Sequence, residues 1–240
     1  PALVYLPCQE LPGHEDALRR WAQAYPDIGF GVVLPRVVWD RELPRLRREL
    51  EAARQAGVTQ ALLGHIGQLP LARSFGLIPR GDFGLGLTND ETAAELARLG
   101  FASATASFES RLAQIRDLSK PLDLELLVYG RLPLMLMEHC ILRNRGQGCH
   151  CQDKPQSLGD RKGEHFPVES AWGCRNELFN AKPLWLADKT DWRTAGAAYA
   201  RLAFLREGPG ECARVFRAYR EGAGEPPRAF TRGLYYRGVE

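Results

Sequence analysis

The sequence predicts an α/β fold built on a parallel sheet, an incomplete (β/α)8 TIM-type barrel followed by a cysteine-rich C-terminal extension. Three observations carry this expectation. Short apolar runs alternate with longer amphipathic ones through the first 130 residues, which is the pattern of repeated βα units. Five such units and a sixth strand are more than a small doubly wound sheet needs, and no phosphate-binding glycine fingerprint follows the first strand. After Gly130 the chain turns polar and turn-forming, and four of the six cysteines fall between Tyr129 and Asp188.

The predicted strands are Ala2–Leu6, Phe30–Leu34, Gln60–His65, Phe83–Leu87, Ala102–Ala106 and Leu122–Val128. Helical patterns fill the gaps at His14–Ala24, Asp40–Ala56, Leu69–Phe75, Asn89–Leu99 and Phe108–Leu118. The helix from Asp40 is the clearest: Leu43, Leu46, Leu50 and Ala53 recur at helical spacing, with arginines on the other face. Gly57 and Gly100 are placed to end helices, and Asn89 with Thr92 and Ser107 with Ser110 to start them. Beyond Gly130, strands are expected near His165–Val168 and Leu178–Leu186, and helices at Arg193–Leu205 and Glu211–Tyr219. The domain division that follows is 1–130 for the barrel units and 131–240 for a closing segment packed on them. An incomplete barrel leaves edges to cover, so either leading units preceded Pro1 or the region after Gly130 closes the sheet. The start at Pro1 without a methionine reads as a piece of a longer protein.

The bulk numbers narrow the function classes. At 240 residues with 45% hydrophobic and 25% charged residues the composition is that of a globular protein, and a net charge of +3 is too small to argue for nucleic acid by itself. No run approaches the roughly 20 apolar residues that span a bilayer, and residues 1–30 lack a basic segment followed by an apolar one. A cytoplasmic location is expected, where clustered thiols bind metal more often than they form disulfides.

Cys140, Cys149, Cys151, Cys174 and Cys212 are candidate thiolates for a site that needs about four. Their spacing lacks the paired C-x2-C of zinc ribbons, so an iron–sulfur centre held by distant loops, a zinc site, and unligated thiols all remain open. Cys8, alone at a strand end, reads as a small core residue. His139 and His150 sit beside cysteines and are candidate ligands or donors to ligands. His65 falls at the carboxyl end of a predicted barrel strand, where barrel active sites assemble. Glu125 lies in an otherwise apolar strand, where an unpaired carboxylate is costly to bury, so it should have a partner. No H-E-x-x-H pattern is present. Asp160 to Gly163 reads as a tight turn. Arg228, Arg232 and Arg237, interleaved with Phe230, Tyr235 and Tyr236, suit either contact with RNA or substrate, or docking of the tail on the fold.

Several segments together resemble the collagenase-like peptidase family U32, in its long bacterial branch. They are LELLVYGRLPLM with EHC (124–140), LGDRKGEHFPV (158–168), CRNELFNAKPLWLAD (174–188), the terminal TRGLYYRGVE, and GLGLTNDETAAELARLGFASATASFES in the βα region. The family name implies a peptidase. Other branches imply iron–sulfur proteins of oxygen-independent hydroxylation, in ubiquinone biosynthesis and RNA modification. Their first cluster cysteine follows V-x-G-x-L, where this chain has Pro133. The resemblance then implies a [4Fe–4S] cluster on Cys140, Cys151, Cys174 and Cys212, with Cys149 competing for the place of Cys151. It implies hydroxylation or modification of RNA or a small aromatic substrate, with Glu125, His65 and Arg131 lining the cavity. The alternatives are a collagenase-like peptidase and a non-catalytic RNA-binding module.

Overall fold

The computed structural model describes residues 1–143, 149 and 155–238. They form two compact units, one of Pro1–Ser107 with Asp117–Glu125, the other of Phe108–Arg116 with Leu126–Glu240.

The first unit is a run of parallel βα units: β1 Leu3–Pro7, α1 Glu15–Ala24, β2 Gly29–Val33, α2 Leu43–Gln55, β3 Gln60–Leu63, α3 Leu69–Ser74, β4 Ile78–Gly81, α4 Asp90–Arg98 and β5 Ser103–Thr105. It ends in the first residues of β6, Asp123–Gly130. Each strand pairs in parallel with its predecessor. Local chemistry places the helices. Pro44 opens α2, and Gly57 at φ +83° lets the chain leave it. Asn89 accepts a hydrogen bond from the Thr92 amide at 2.9 Å, capping α4, and Gly100 at φ +73° follows its end.

Alternation along the strands separates two faces. One carries Phe30, Val32, Ala61, Leu63, Ala104 and Leu124, all buried. It matches the apolar stripe of α2, where Leu46, Leu50 and Ala53 are inaccessible to water. The other face carries Tyr5, Gln60, Arg80, Ser103, Thr105 and Glu125. Five strand spacings of about 4.8 Å would put β1 and β6 about 24 Å apart in a flat sheet. Yet the Tyr5 hydroxyl donates to Glu125 Oε1 at 2.8 Å. The sheet of this unit is therefore curled, with the polar face on the inside. Gly31 makes the curl packable, because a Cβ there would lie 2.7 Å from the Tyr5 ring.

The second unit holds α5 Leu112–Asp117 and the rest of β6, then β7 Pro133–Met137, β8 Gln156–Gly159, β9 His165–Ala171, β10 Arg175–Phe179, β11 Leu184–Trp185, β12 Tyr199–Leu202 and α6 Pro209–Glu221. Four of these form an antiparallel sheet in the order β7-β10-β9-β8. The β8–β9 hairpin turns on Asp160, whose Oδ1 accepts from the amides of Lys162 and Glu164 at 2.8 and 2.9 Å, with Gly163 at φ +78°. β11 runs antiparallel to β6 and β12 also pairs with it, so the parallel βα repeat stops at β6. Tyr129, Leu184, Trp185, Leu186, Val215, Tyr219 and Tyr235 form this unit's core.

Three sequence expectations need correction. Phe83–Leu87 is not a strand: Asp82 accepts from the Phe83 amide at 2.8 Å and Gly86 sits at φ +65°, which makes a 3-10 turn. The strand is Ile78–Gly81, a four-residue I-P-R-G too short and too rich in turn residues to carry a periodic signal. Leu178–Leu186 is two strands, broken where Pro183 cannot donate to a ladder. Arg193–Leu205 is not a helix but a 3-10 turn, Asp191–Thr194, then β12, separated by Gly196 at φ +77°.

The tail is docked on the second unit. The Tyr235 hydroxyl donates to the Leu127 carbonyl at 2.7 Å, and Tyr219 on α6 bridges the Val128 carbonyl and the Leu186 amide. Arg232 clamps Asp188 with two hydrogen bonds at 2.5 and 2.6 Å and also donates to the Trp185 carbonyl. Arg232 holds the Asp188 carboxyl below the usual carboxylate range. A depressed carboxylate contributes stability that is present above the unfolded value of about 3.9 and fades as pH falls through the folded one. The stability gap between the wild type and Asp188→Asn is thus expected to be level near neutrality and to shrink below about pH 3.9. Urea unfolding at stepped pH measures it, and a gap that widens on acidification would contradict the assignment.

Candidate functional site

In the first unit the loops at the carboxyl ends of β2, β3 and β4 converge. Gln68, almost fully buried, organises them: its Oε1 accepts from the Gly64 amide at 3.0 Å and the His65 amide at 3.4 Å, and its Nε2 donates to the Pro35 carbonyl at 2.5 Å. The loop after β3 is thereby tied to the loop after β2. Close approach is obligatory here, since a Cβ on Gly84 would lie 2.4 Å from the Gly64 carbonyl oxygen. Arg36 lies across Gly64, with its Cγ 2.9 Å from where a Cβ would stand, and its guanidinium sits 5.3 Å from the centre of the Phe83 ring. His65 is half-buried, and burial lowers its imidazole below the ordinary value. A neutral imidazole accepts a proton, and a stacked guanidinium holds an oxyanion. Side chains of these two types on adjoining loops can move a proton and hold a developing negative charge. His65 stands just beyond β3, as the sequence places it, whereas Arg36, Gln68 and Phe83 beside it carry no signal that singles them out in the sequence. The signal available for Arg36 was position, because it lies just beyond β2 of the parallel sheet; Phe83 was masked by the strand expected at 83–87.

Glu125 lies on the inner face, 2% exposed. It accepts from the Tyr5 hydroxyl at 2.8 Å and the Ser103 hydroxyl at 2.6 Å, and pairs with Arg80 at 3.5 Å. Arg80 in turn donates to Ser103 at 2.8 Å and to Gln60. The partner demanded by burying this carboxylate is thus supplied by three strands. Arg131, in the second unit, donates to the carbonyls of Asn180 and Ala181, tying the connection between β10 and β11.

The thiols divide. Cys8 is buried and donates to Glu49 Oε2 at 3.0 Å, while burial pushes the thiol far above its ordinary value. In the second unit Cys140 and Cys174 flank the same end of the four-stranded sheet. β7 pairs with β10, Glu138 pairs with Arg175 at 2.5 Å, and the Ile141 amide donates to Asn176 at 2.8 Å. Cys174 is exposed and stands at φ +62°, a left-handed conformation rare for a residue with a Cβ. Cys212 lies on α6, its thiol facing the Glu207 carbonyl at 3.5 Å and raised by burial and by Glu207. Cys149 is exposed, as is His139. Cys151 and His150 lie outside the described residues. Among the described residues no three His, Cys, Asp or Glu side chains gather as a metal-holding group, so Cys140, Cys174 and Cys212 do not by themselves make a cluster or zinc site. No described helix is long and apolar enough to cross a membrane.

Comparison with known proteins gives partial likenesses. No family model matches the chain, and no curated protein matches it. Among solved structures, the chain is similar to the U32 peptidase Mk0906, with 17% identity, 54% of this chain and 62% of that chain covered, and a TM-score of 0.41. It is also similar to D-psicose 3-epimerase in the presence of D-fructose, with 8% identity, 52% and 63% covered, and a TM-score of 0.36. The chain spans a little over three-fifths of the length of each.

Proposed function

We propose that this chain is part of a U32-type enzyme that handles its substrate at the carboxyl ends of the parallel strands, with His65 as the proton-transferring group and Arg36 as the group that holds negative charge. The carrying observation is a half-buried imidazole lowered by burial and a guanidinium stacked on Phe83, on neighbouring loops tied together by Gln68. Peptide hydrolysis is the activity that the family resemblance brings, through the segments 124–140, 158–168 and 174–188. Purified protein is expected to cleave gelatin-like peptides, and His65→Gln to lower kcat/KM by at least about tenfold with folding intact. Because the imidazole is lowered, the acid limb of the pH profile should lie below about 6.5. Cleavage that survives His65→Gln unchanged would remove His65 from this role.

A second reading, an iron–sulfur protein supporting hydroxylation of RNA or a small aromatic substrate, is favoured by one feature. The exposed Cys174 is held in a left-handed conformation beside the segment that carries Cys140. This reading needs Cys151 and Cys212 to join them. Anaerobically purified protein would then be brown and contain about four irons per chain. Stoichiometric zinc, or metal-free protein with full activity, would end it.

A further inference from the structure

The second unit contains a concavity that neither reading uses. Lys189, Phe230, Thr231, Arg232, Tyr236 and Arg237 line a cavity of about 490 Å³, within the range of clefts that hold small molecules, roughly 300–1,000 Å³. Its charges are unevenly spent. Arg232 is clamped by Asp188 and lies 4.6 Å from the centre of the Phe230 ring. Tyr236 donates to Asp191 at 2.8 Å, which directs that carboxylate to a hydroxyl rather than to a cation. Lys189 and Arg237 both line the wall, and among the described residues neither makes an ion pair, although Asp188, clamped by Arg232, lies within electrostatic reach of Lys189. Beside them the Tyr236 ring is 44% exposed.

We propose that this cavity binds a small phosphomonoester carrying a flat ring. Lys189 and Arg237 take the phosphate oxygens, Thr231 offers a hydroxyl, and the ring lies against Tyr236. Two cations not spent in ion pairs suit an oxyanion that can accept from both, and charge-assisted hydrogen bonds of this kind are the strong ones. An exposed tyrosine face alongside adds a platform for a flat group. Arg232, already neutralised, is structural here: it holds Asp188 and the Trp185 carbonyl and so fixes the wall on which the other two stand.

Isothermal titration of the full chain with phenyl phosphate, with inorganic phosphate as a second arm, tests this. Phenyl phosphate is expected to bind saturably and to weaken as salt is raised. Lys189→Gln with Arg237→Gln should weaken it by at least about tenfold. Each single variant should show part of that loss, and both sites are exposed, so folding is checked by the unfolding midpoint. Inorganic phosphate should bind more weakly, and Tyr236→Leu should narrow that difference. Undiminished binding by a folded double variant, or no saturable binding at millimolar phenyl phosphate, would overturn the site. Equal binding of the two ligands would overturn the ring contact. The readout is binding alone, so it stands apart from any activity at His65.

Discussion

Glu125→Ala is expected to destabilise the first unit by about 3–5 kcal/mol, the usual cost of removing one partner from a buried ion pair. Its substitution strips the counter-charge from Arg80, whose side chain is only 11% exposed, and leaves the Tyr5 and Ser103 hydroxyls without their acceptor. The variant series separates the contributions. Glu125→Gln keeps an oxygen for the two hydroxyls but not the charge, and should fall between wild type and alanine. Glu125→Leu combined with Arg80→Met removes both charges and should recover much of the loss, because an apolar pair of similar volume costs no uncompensated ion. Urea unfolding measures all three. An alanine variant within 1 kcal/mol of the wild type, or a glutamine variant that is fully stable yet inactive, would show that the carboxylate serves chemistry rather than the curl of the sheet.

Trp185→Ala is expected to cost the second unit a similar amount, about 3–5 kcal/mol, through the cavity it leaves. The indole is fully buried and meets Tyr219 and Tyr129 edge-on, with ring centres 5.5 and 6.0 Å apart. It stands where the tail, α6 and β6 meet, so a void there has several elements to loosen. One feature moderates the smaller change. The indole Nε1 is buried with no hydrogen-bond partner among the described residues, so Trp185→Phe also removes an unsatisfied donor. The phenylalanine variant should therefore retain more than half of what alanine loses. Thermal and urea unfolding check both, and an alanine variant as stable as phenylalanine would show that the site collapses without cost.

The two sites differ in how much the sequence discloses. The place of His65 was legible because a histidine directly after an apolar strand in a βα pattern falls at the carboxyl-end rim. Arg36 was hidden because its link to Phe83 depends on two glycines, Gly64 and Gly84, letting successive loops touch. The thiols were conspicuous in sequence, yet convergence of thiols is a tertiary property. The β7–β10 pairing brings the segments of Cys140 and Cys174 to one sheet end, and among the described residues these two and Cys212 on α6 do not gather as a group of three. Several residues of the segments that carry the U32 resemblance make structural contacts. Arg175 pairs with Glu138, Arg232 with Asp188, and Asp160 makes a hairpin turn.

By itself the sequence determined the βα alternation as far as β6 except for the strand of the fourth unit, the limits of α4, and the need for Glu125 to find a partner. Periodicity, capping and desolvation act over a few residues and are written into the chain locally. Only the tertiary structure decided which partner Glu125 finds, since Tyr5 lies 120 positions away and reaches it only because the sheet curls. It also decided that Tyr199–Leu202 extends a sheet rather than joining a helix. A strand is defined by the edge it pairs with, and the edge of β6 is not visible from the segment that joins it.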